Sequence, residues 1–442
     1  MKPQSFRSRT MVATLCLAAF NSAQAADPFP QQRDHSQTPQ LWRQELEALK
    51  KRVEAAEHKA TAARNLARQA RRAARPPKRA NAFNPAISLI LNGAFSSYSH
   101  PAEDYALPGF ALGPEAGLEP EGLSLGESEI TLAANTDPWW RGQLTLSLGN
   151  DHGETTTDVE EAFIETLGLG NGLTFRAGRF FSAMGYLNGK HAHAWNFSDA
   201  PLVYRGLFGN QLKQEGMRLA WLLPTDRFLE LGVEVGNGET FPAGGTHAGV
   251  GASTAYLRTG GDWGLSHSWQ AGLSHYRAGH IHDRDSDAHR FSGESDITGV
   301  DLVYKWAPQG NTQDRSLVLQ SEYFHRHEHG VIATDASGDS AFDGRQDGWY
   351  LESVYKFKRQ WRTGLRYDRL ASHNGSGATI AAAGLDGNGF QPHRWSAMVE
   401  WSPSEFSRIR LQYNRDDSTR SSDDQVILQY TQALGSHGAH SY

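Results

Sequence analysis

Two segments in which apolar and polar residues alternate lie between residues 297 and 329, separated by a polar turn at 308–314. A period of two residues is typical of a β-strand with one apolar and one polar face. Each segment has roughly the 9–11 residues that a strand needs to cross a bilayer in a closed barrel. Because the pattern recurs after residue 83, it predicts an all-β, antiparallel transmembrane barrel. The apolar positions are Val300, Leu302, Tyr304, Trp306, Leu317, Leu319 and Tyr323.

The first 25 residues have the three parts of a secretory signal peptide. Basic residues precede an apolar run at 11–20, and Ala23-Gln24-Ala25 forms a small-residue cleavage site. The single cysteine, Cys16, lies in this segment, so we expect the mature chain to contain none. This excludes disulfide bonds and a cysteine nucleophile. No later run of 18 apolar residues predicts a membrane-spanning helix.

The composition is compatible with a barrel and argues against disorder. Hydrophobic residues make up 38% of the chain, which is low for a globular protein, but aromatic residues make up 10%. A barrel needs apolar residues only on its outward face, so it tolerates this balance. The 45 glycines suit a fold with many turns and bends.

Residues 26–40 are predicted to be a linker, and residues 41–79 an α-helical coiled-coil segment that ends at Pro76-Pro77. Apolar residues recur there at spacings of four and three without drifting, which favours a coiled coil over a single amphipathic helix. A seam made mostly of alanine buries little surface, so the barrel would have to hold the chains together, and we expect a homotrimer. The seam positions are Trp42, Leu46, Leu49, Val53, Ala56, Ala60, Ala63, Ala67, Ala70 and Ala74.

Charge divides the chain into two parts. Residues 41–79 contain 12 basic and 4 acidic residues, whereas residues 83–442 contain 27 basic and 43 acidic residues. The basic segment is explained either by solubility or by contact with anionic lipid or cell-wall polymer beneath the membrane. A nucleic-acid partner is not expected for an exported chain.

Sixteen strands are predicted in residues 83–442, joined alternately by short turns and long connections. Short turns on one side and long loops on the other are typical of outer-membrane barrels, where they face the periplasm and the exterior respectively. We expect long loops at 99–122, 181–215, 237–252, 278–296, 327–347 and 371–392. The predicted strands are 86–98, 123–134, 141–149, 158–167, 173–180, 216–223, 228–236, 253–262, 267–277, 297–306, 316–326, 348–357, 361–370, 393–402, 407–415 and 425–434.

Tryptophan placement supports the membrane assignment. Seven of the 12 tryptophans lie at or beside the short turns, as an aromatic girdle at one membrane interface requires. A soluble β-sandwich could also bury tryptophans but has no reason to place them beside alternate turns. Sixteen strands would leave a water-filled lumen. The seven are Trp139, Trp140, Trp221, Trp263, Trp306, Trp361 and Trp401.

The segment GRFFSAMGYLNGKHAHAWNFSDAPLVYRGLFGN, from Gly178 to Asn210, resembles part of the trimeric outer-membrane porins, in particular the phosphate-selective type with sixteen strands. The resemblance implies that the strand ending in Gly178-Arg179-Phe180 leads into a third loop that folds into the lumen and narrows it. The heptad segment resembles the periplasmic coiled coil of sugar-specific porins.

The chain is also similar to porin-like proteins sometimes labelled zinc-regulated TonB-dependent outer-membrane receptors. The barrel begins near residue 83 without space for a plug domain, and it is too short for 22 strands. Both points argue against an energy-coupled receptor. We therefore expect a protein of the Gram-negative outer membrane, in contact with its lipid, with a periplasmic N-terminal stalk.

Taking the apolar faces as outward predicts which charged residues line the pore. Rings of one sign set ion selectivity, but both signs occur here, so either a basic lane or pairing of opposite charges across the wall is compatible with the sequence. The predicted acidic lining residues are Glu230, Glu234, Asp301, Glu322, Glu352 and Glu400. The basic ones are Arg176, Arg218, Arg258, Lys305, Lys356, Arg362, Arg366, Arg408 and Arg410.

Histidines concentrate in the predicted long loops. Imidazole and carboxylate groups suit zinc and similar divalent ions, and histidines two residues apart on a strand share a face. Three explanations remain open: incidental polar loops, weak metal capture at the channel mouth, or a catalytic site. No cofactor is required by the pattern, although weakly bound zinc is compatible with it. The candidate ligands are His191, His193, His280, His282, His289, His325, His327 and His329.

Enzyme motifs are absent from the sequence, which contains no H-E-x-x-H, no G-x-S-x-G and no phosphate-binding glycine loop. We therefore do not expect an enzyme. Three functions fit the residues: a porin for passive diffusion of small hydrophilic solutes or ions, a channel or receptor specialised for divalent metal, and a non-conducting surface scaffold or adhesin.

Overall fold

The computed structural model describes residue 47 and residues 85–151, 154–245, 249–286 and 288–435. Apart from Glu47, which is helical, the predicted signal peptide, linker and coiled-coil segment lie outside the described residues. Among the described residues, no helix is long and apolar enough to cross a bilayer. The strands are β1 Ala86–Tyr98, β2 Gly122–Ser124, β3 Ser128–Asn135, β4 Trp140–Asp151, β5 Glu154–Thr166, β6 Leu173–Phe181, β7 Lys213–Leu222, β8 Phe228–Gly236, β9 Ala252–Trp263, β10 His267–Ser286, β11 His289–Trp306, β12 Ser316–Thr334, β13 Gly338–Lys358, β14 Trp361–His373, β15 His393–Ser404, β16 Ser407–Asp417 and β17 Asp423–Gly435.

These strands form one antiparallel sheet of seventeen strands that closes on itself, because β17 pairs with one edge of β1 while β2 and β3 pair with the other. Since β2 and β3 together occupy one strand position in the wall, the barrel has sixteen strand positions. Closure leaves no unpaired sheet edge, as a strand structure in lipid requires. The predicted antiparallel barrel of about sixteen strands is confirmed.

The prediction of one strand at 123–134 is wrong, because the chain leaves the wall at residues 125–127. Gly126 there has φ +60°, a left-handed conformation that ends regular pairing. Ser128 then replaces the missing ladder bonds: its hydroxyl accepts the Asn92 N–H at 3.0 Å and donates to the Asn92 carbonyl at 3.3 Å.

The outward faces of the strands carry apolar side chains between two rows of aromatic residues. Near the short turns, Trp361 and Trp401 lie 6.2 Å apart, in the girdle that the sequence predicts. A second row lies six residues along these strands, roughly 20 Å away, where Tyr367 and Trp395 are 4.6 Å apart. The residues between the rows include Leu365, which is 59% exposed on the barrel surface.

The predicted long loops at 278–296 and 327–347 are wrong, because the strands continue through them. β10 and β11 extend to Ser286 and His289, and β12 and β13 extend to Thr334 and Gly338. The outward residues of these extensions are polar, which made them resemble loops in the sequence. Their inward residues are buried and include the apolar Ile281, Phe291, Ile332 and Phe342.

The long-loop half of the barrel contains a hydrophobic core rather than open solvent. Inward residues of β10–β14 pack there against segments that fold into the barrel from the long connections. These segments include α1 (Leu202–Phe208) and α2 (Ala378–Ala382), together with the loop around Phe110. At the short-turn half, in contrast, inward residues such as Arg218, Arg258 and Lys305 are partly exposed.

Candidate functional site

Residues 182–212, which we call the constriction segment, leave the wall after β6 and return to it at β7. They make hydrogen bonds with strands on the far side of the barrel: the Leu187 N–H donates to Glu322 at 2.9 Å, and the Arg366 guanidinium donates to Asp199 at 2.7 Å. The third loop folded into the lumen, which the porin resemblance implies, is therefore confirmed.

The helix α1 gives the constriction segment its fixed shape. Pro201 precedes it, where a missing N–H costs nothing, and Gly209 ends it with φ +66°. All seven helical residues are buried. On one side Phe208 packs edge-to-face against Phe324 at 5.0 Å, and Gly348 leaves room for Val203, which a side chain at that position would displace.

Glu322, one of the predicted lining residues, is a buried anchor for the segment. Its carboxylate accepts the N–H groups of Tyr186 and Leu187 at 3.1 and 2.9 Å, and the hydroxyls of Tyr204 and Tyr350 at 2.8 and 2.7 Å. Three of these donors, the Tyr186 and Leu187 N–H groups and the Tyr204 hydroxyl, belong to the segment and fix it to β12, whereas Tyr350 links Glu322 to β13.

Asp199 is the anchor at the other end of the segment. Arg366 and Arg394 donate to its two oxygens at 2.7 and 2.9 Å, and Gln412 and Asn414 donate at 2.7 and 3.1 Å. Burial opposes ionisation of Asp199, but the two guanidinium groups outweigh it and hold its pKa well below the usual value.

The predicted lining residues all lie on inward faces of their strands, by the register of the barrel, and most of them hold the segment instead of facing open water. Opposite charges also pair across the wall, as in Arg362 with Glu400 at 2.6 Å and Arg218 with Glu234 at 3.4 Å. Those that contact the segment are Glu234, Arg258, Glu322, Glu352, Arg362, Arg366, Arg408 and Arg410, whereas Arg176, Arg218, Glu230, Asp301 and Lys305 lie on the wall beside it.

Between the segment and the wall formed by β1 and β17 lies a polar gap with a volume of about 80 Å³. A gap of this volume is large enough to hold water molecules, each of which needs at least about 10–15 Å³ of it. Hydroxyl, amide and carboxylate groups face it from both sides. The lining includes Asn92, Ser96, Glu115, Glu119, Glu127, Trp195, Asp199, Arg205, Gln425 and Gln429.

Six of the eight predicted metal ligands lie on β10, β11 and β12, five of them in the strand extensions, and they do not meet at one common site. His325, His327 and His329 alternate with buried residues of β12, so they share the outward face, where His327 and His329 lie 3.3 and 3.6 Å from Asp343. The structure places the other three on β10 and β11: His280 and His282 are exposed, and His289 is buried beside Ser286.

His191 and His193, in contrast, meet a group of wall carboxylates that the sequence prediction missed. His191 Nδ1 lies 2.9 Å from Glu160 and 3.1 Å from Glu129, and its Nε2 lies 3.1 Å from Glu161. Burial disfavours the charged ring, but the hydrogen bonds that it donates to the carboxylates of Glu129, Glu160 and Glu161 outweigh this and raise the pKa of His191 well above its usual value. Within the described residues, Glu129, Glu160 and His191 form a group able to hold a metal ion.

A β-bulge explains why these carboxylates meet. Thr145 of β4 pairs with Glu161, and the next residue pairs with Val159, so Glu160 is an extra residue in β5. The bulge lets two consecutive glutamates reach the lumen side. The doublet Glu160-Glu161 interrupts the alternation of DVEEAFIET, which is the sequence signal that could have indicated it.

Comparisons with known proteins identify a sequence relative and solved structures that are similar to this chain. An uncharacterized protein of Aquifex aeolicus (strain VF5) is 32% identical over 400 residues, which cover 82% of this chain and 80% of that protein. The outer-membrane channel DcaP of Acinetobacter baumannii has a similar structure, with a TM-score of 0.52 and 12% identity, covering 79% of this chain and 97% of that chain. For the anion-selective porin from Comamonas acidovorans, the TM-score is 0.48 and the identity 12%, covering 79% and 99% of the chains. No family model matches the sequence.

Proposed function

The chain belongs to the same family as the uncharacterized protein of Aquifex aeolicus and has the fold of the DcaP channel, and we propose that it is an outer-membrane porin. In this proposal, small hydrophilic solutes or ions diffuse passively along the lumen. The chain works as a channel and not as an enzyme.

The polar gap between the constriction segment and β1 carries the proposal. On its other side the segment packs against the wall through apolar contacts that exclude water, such as that of Phe208 in the segment with Phe324 in β12. Beside β1 and β17 the facing groups are Ser96, Gln425 and Gln429, which hydrogen bond with water or a polar solute. A solute that crosses the barrel would therefore pass here, and the volume of about 80 Å³ restricts passage to small species.

The proposed location is the Gram-negative outer membrane, with lipid against the outward apolar band and the N-terminal stalk in the periplasm. The heptad pattern of residues 41–79 supports a homotrimer, and the basic residues of that stalk favour contact with cell-wall polymer. Deleting residues 41–79 and measuring whether the native oligomer becomes less stable tests the stalk separately from the barrel.

A blocking substitution tests the passage directly. Ser96 faces the gap and is 1% exposed, whereas its neighbour Ser97 lies on the opposite face of β1. In planar bilayers, the Ser96→Trp variant should lose most of the single-channel conductance of the wild type, because an indole fills the gap. The matched Ser97→Trp variant places the same ring towards lipid and should conduct normally.

The outcomes separate the candidate functions. Conductance that Ser96→Trp abolishes and Ser97→Trp preserves supports a porin with its passage at β1. Folded wild-type protein that neither conducts nor swells liposomes would refute the porin and favour a surface scaffold or adhesin. Equal conductance in the wild type and the Ser96→Trp variant would refute this position of the passage.

A further inference from the structure

We propose that Glu129, Glu160 and His191 bind a divalent transition-metal ion, of which zinc is the representative, where the constriction segment meets the barrel wall. The ligands come from three elements: Glu129 from β3, Glu160 from β5 and His191 from the segment. This site is a property of the folded barrel and does not depend on whether the channel conducts.

The spacing of the three donor atoms fits such an ion. Ligands at about 2.0–2.2 Å from a tetrahedral ion lie roughly 3.3–3.6 Å from one another. His191 Nδ1 lies 2.9 Å from the Glu160 oxygen and 3.1 Å from the Glu129 oxygen. Outward movements of a few tenths of an ångström, within the reach of glutamate rotamers, would admit the ion.

The contact of His191 Nε2 with a carboxylate orients the ring so that its other nitrogen, Nδ1, faces the proposed metal site. His191 Nε2 lies 3.1 Å from the carboxylate of Glu161. While its Nε2 proton is donated to Glu161, the ring would bind the ion through Nδ1, and the proton that Nδ1 shares with Glu129 and Glu160 would be released to solvent as the ion binds. This carboxylate–histidine–metal arrangement is the usual outer shell of zinc sites, so Glu161 acts as a positioning residue.

The carboxylates of the site crowd one another, which a cation would relieve. Three carboxylates, those of Glu129, Glu160 and Glu161, lie within about 3.1 Å of the single imidazole ring of His191. Glu129 and Glu160 make their ion pairs with His191 and His193. A divalent ion would supply the missing positive charge at this point.

A fourth ligand is close at hand in the same segment. His193 Nδ1 lies 2.5 Å from the other oxygen of Glu129, and the rings of His191 and His193 stack at 5.6 Å. A change of rotamer at His193, or a water molecule, would complete a tetrahedral set. Imidazole together with carboxylate oxygens favours zinc-like ions over calcium, which prefers six to eight oxygens.

Because its ligands join the wall to the segment, the ion would hold the segment in place. Glu127, which lies beside the site, also lines the polar gap. Occupancy therefore links metal binding to the proposed passage. The consequence is a rise in thermal stability that grows with metal concentration, since the ion binds only the folded state.

The test uses the purified full-length mature protein, folded in detergent and stripped of metal with a chelator. Titration with zinc by calorimetry, with bound metal counted after desalting, should show one saturable site per chain and an increase in melting temperature. The Glu129→Gln/His191→Ala variant should bind roughly 100-fold more weakly, and Glu161→Gln should weaken binding by about 10- to 100-fold. Heat-modifiable migration on gels verifies that each variant is folded.

A surface control separates this site from the outward histidines. Replacing His280, His282, His325, His327 and His329 by alanine should leave the saturable site unchanged. The proposal is refuted if folded wild type shows no saturable site, if binding survives Glu129→Gln/His191→Ala, or if it disappears with the five surface substitutions. Calcium binding as tight as zinc binding would refute the transition-metal assignment. A barrel that binds zinc but does not conduct would overturn the porin and not this site.

Discussion

Replacing Asp199 by asparagine should loosen the constriction segment without unfolding the barrel. The side chain keeps its shape and can still hydrogen bond with Gln412 and Asn414, but it loses the charge that Arg366 and Arg394 face at 2.7 and 2.9 Å. All four partners lie in strands β14–β16, so the substitution removes the charged part of the link between the segment and that wall.

The size of the effect follows from the burial of this network. Removing one member of a buried ion pair costs about 3–5 kcal/mol, because the remaining charge stays buried without its partner. The carboxylate of Asp368 lies 3.0 and 3.4 Å from the same two guanidinium groups and partly balances their charge, so the lower end of this energy range applies. At 1.4 kcal/mol per factor of ten, about 3 kcal/mol raises the population of the detached segment by roughly 100-fold.

The assay is single-channel recording in planar bilayers, together with limited proteolysis of the segment. Asp199→Asn should show larger or more variable open-channel current and faster cleavage within residues 182–212. Asp424→Asn is the matched control, because it removes a 2.9 Å ion pair with Arg415 on the barrel exterior, where the exposed side chains contribute little. Current and proteolysis identical to wild type in a folded Asp199→Asn barrel would refute the role of this anchor.

Three further predictions concern the same segment and the stalk. The ion pairs of Asp199 lower its pKa, so the stability that this anchor contributes is present at pH values above the ordinary aspartate pKa and is lost only as pH falls through the lowered pKa of the folded state. Titration of Asp199 should therefore not change the conductance between pH 7 and 4. A conductance change in that range that Asp199→Asn abolishes would contradict this. Gly185→Ala should destabilise the segment by about 1–3 kcal/mol, because φ is +71° and a Cβ would lie 2.3 Å from Glu322, whereas Gly189→Ala has open space and should behave as wild type in limited proteolysis. Deleting residues 41–79 should leave a trimer that dissociates at a lower temperature on native gels, and an unchanged dissociation temperature would argue against the coiled coil.

The strands could be predicted from the sequence because the membrane on one side and the lumen on the other require apolar and polar residues to alternate along each strand. Outward residues such as Leu302 and Leu365 are apolar, and inward residues such as Asp301 and Arg366 are polar, so a two-residue period fixes both the strand and its faces. Where the wall extends beyond the lipid, the outward residues become polar and the contrast disappears. The strand extensions around His282 and His327 were therefore missed.

The constriction site could be predicted only in part, since it depends on contacts between residues far apart in the chain. The resemblance around Gly178 indicated the inward loop, and His191 and His193 were candidates by residue type. The inward position of their partner Glu160 depends on a one-residue bulge. In the sequence, the only sign of this bulge is that Glu160 and Glu161 are consecutive. Of the other six metal ligands chosen by local histidine density, five lie on the outer surface and His289 is buried beside Ser286.

The position of the proposed passage follows from the inward residues of the wall. Where β11–β14 face the segment, those residues are Ile297, Phe324, Tyr350 and Leu370, which pack against α1 and exclude water. Around β16, β17 and β1, the corresponding positions are Gln412, Asn414, Gln425, Gln429, Asn92 and Ser96, whose polar groups need partners once buried. The segment supplies partners for some of them, such as Ser198 for Gln412 and Gln429, and water or a solute can supply the rest. The constriction segment therefore meets an apolar wall on one side and a polar wall on the other, and the passage proposed above lies on the polar side.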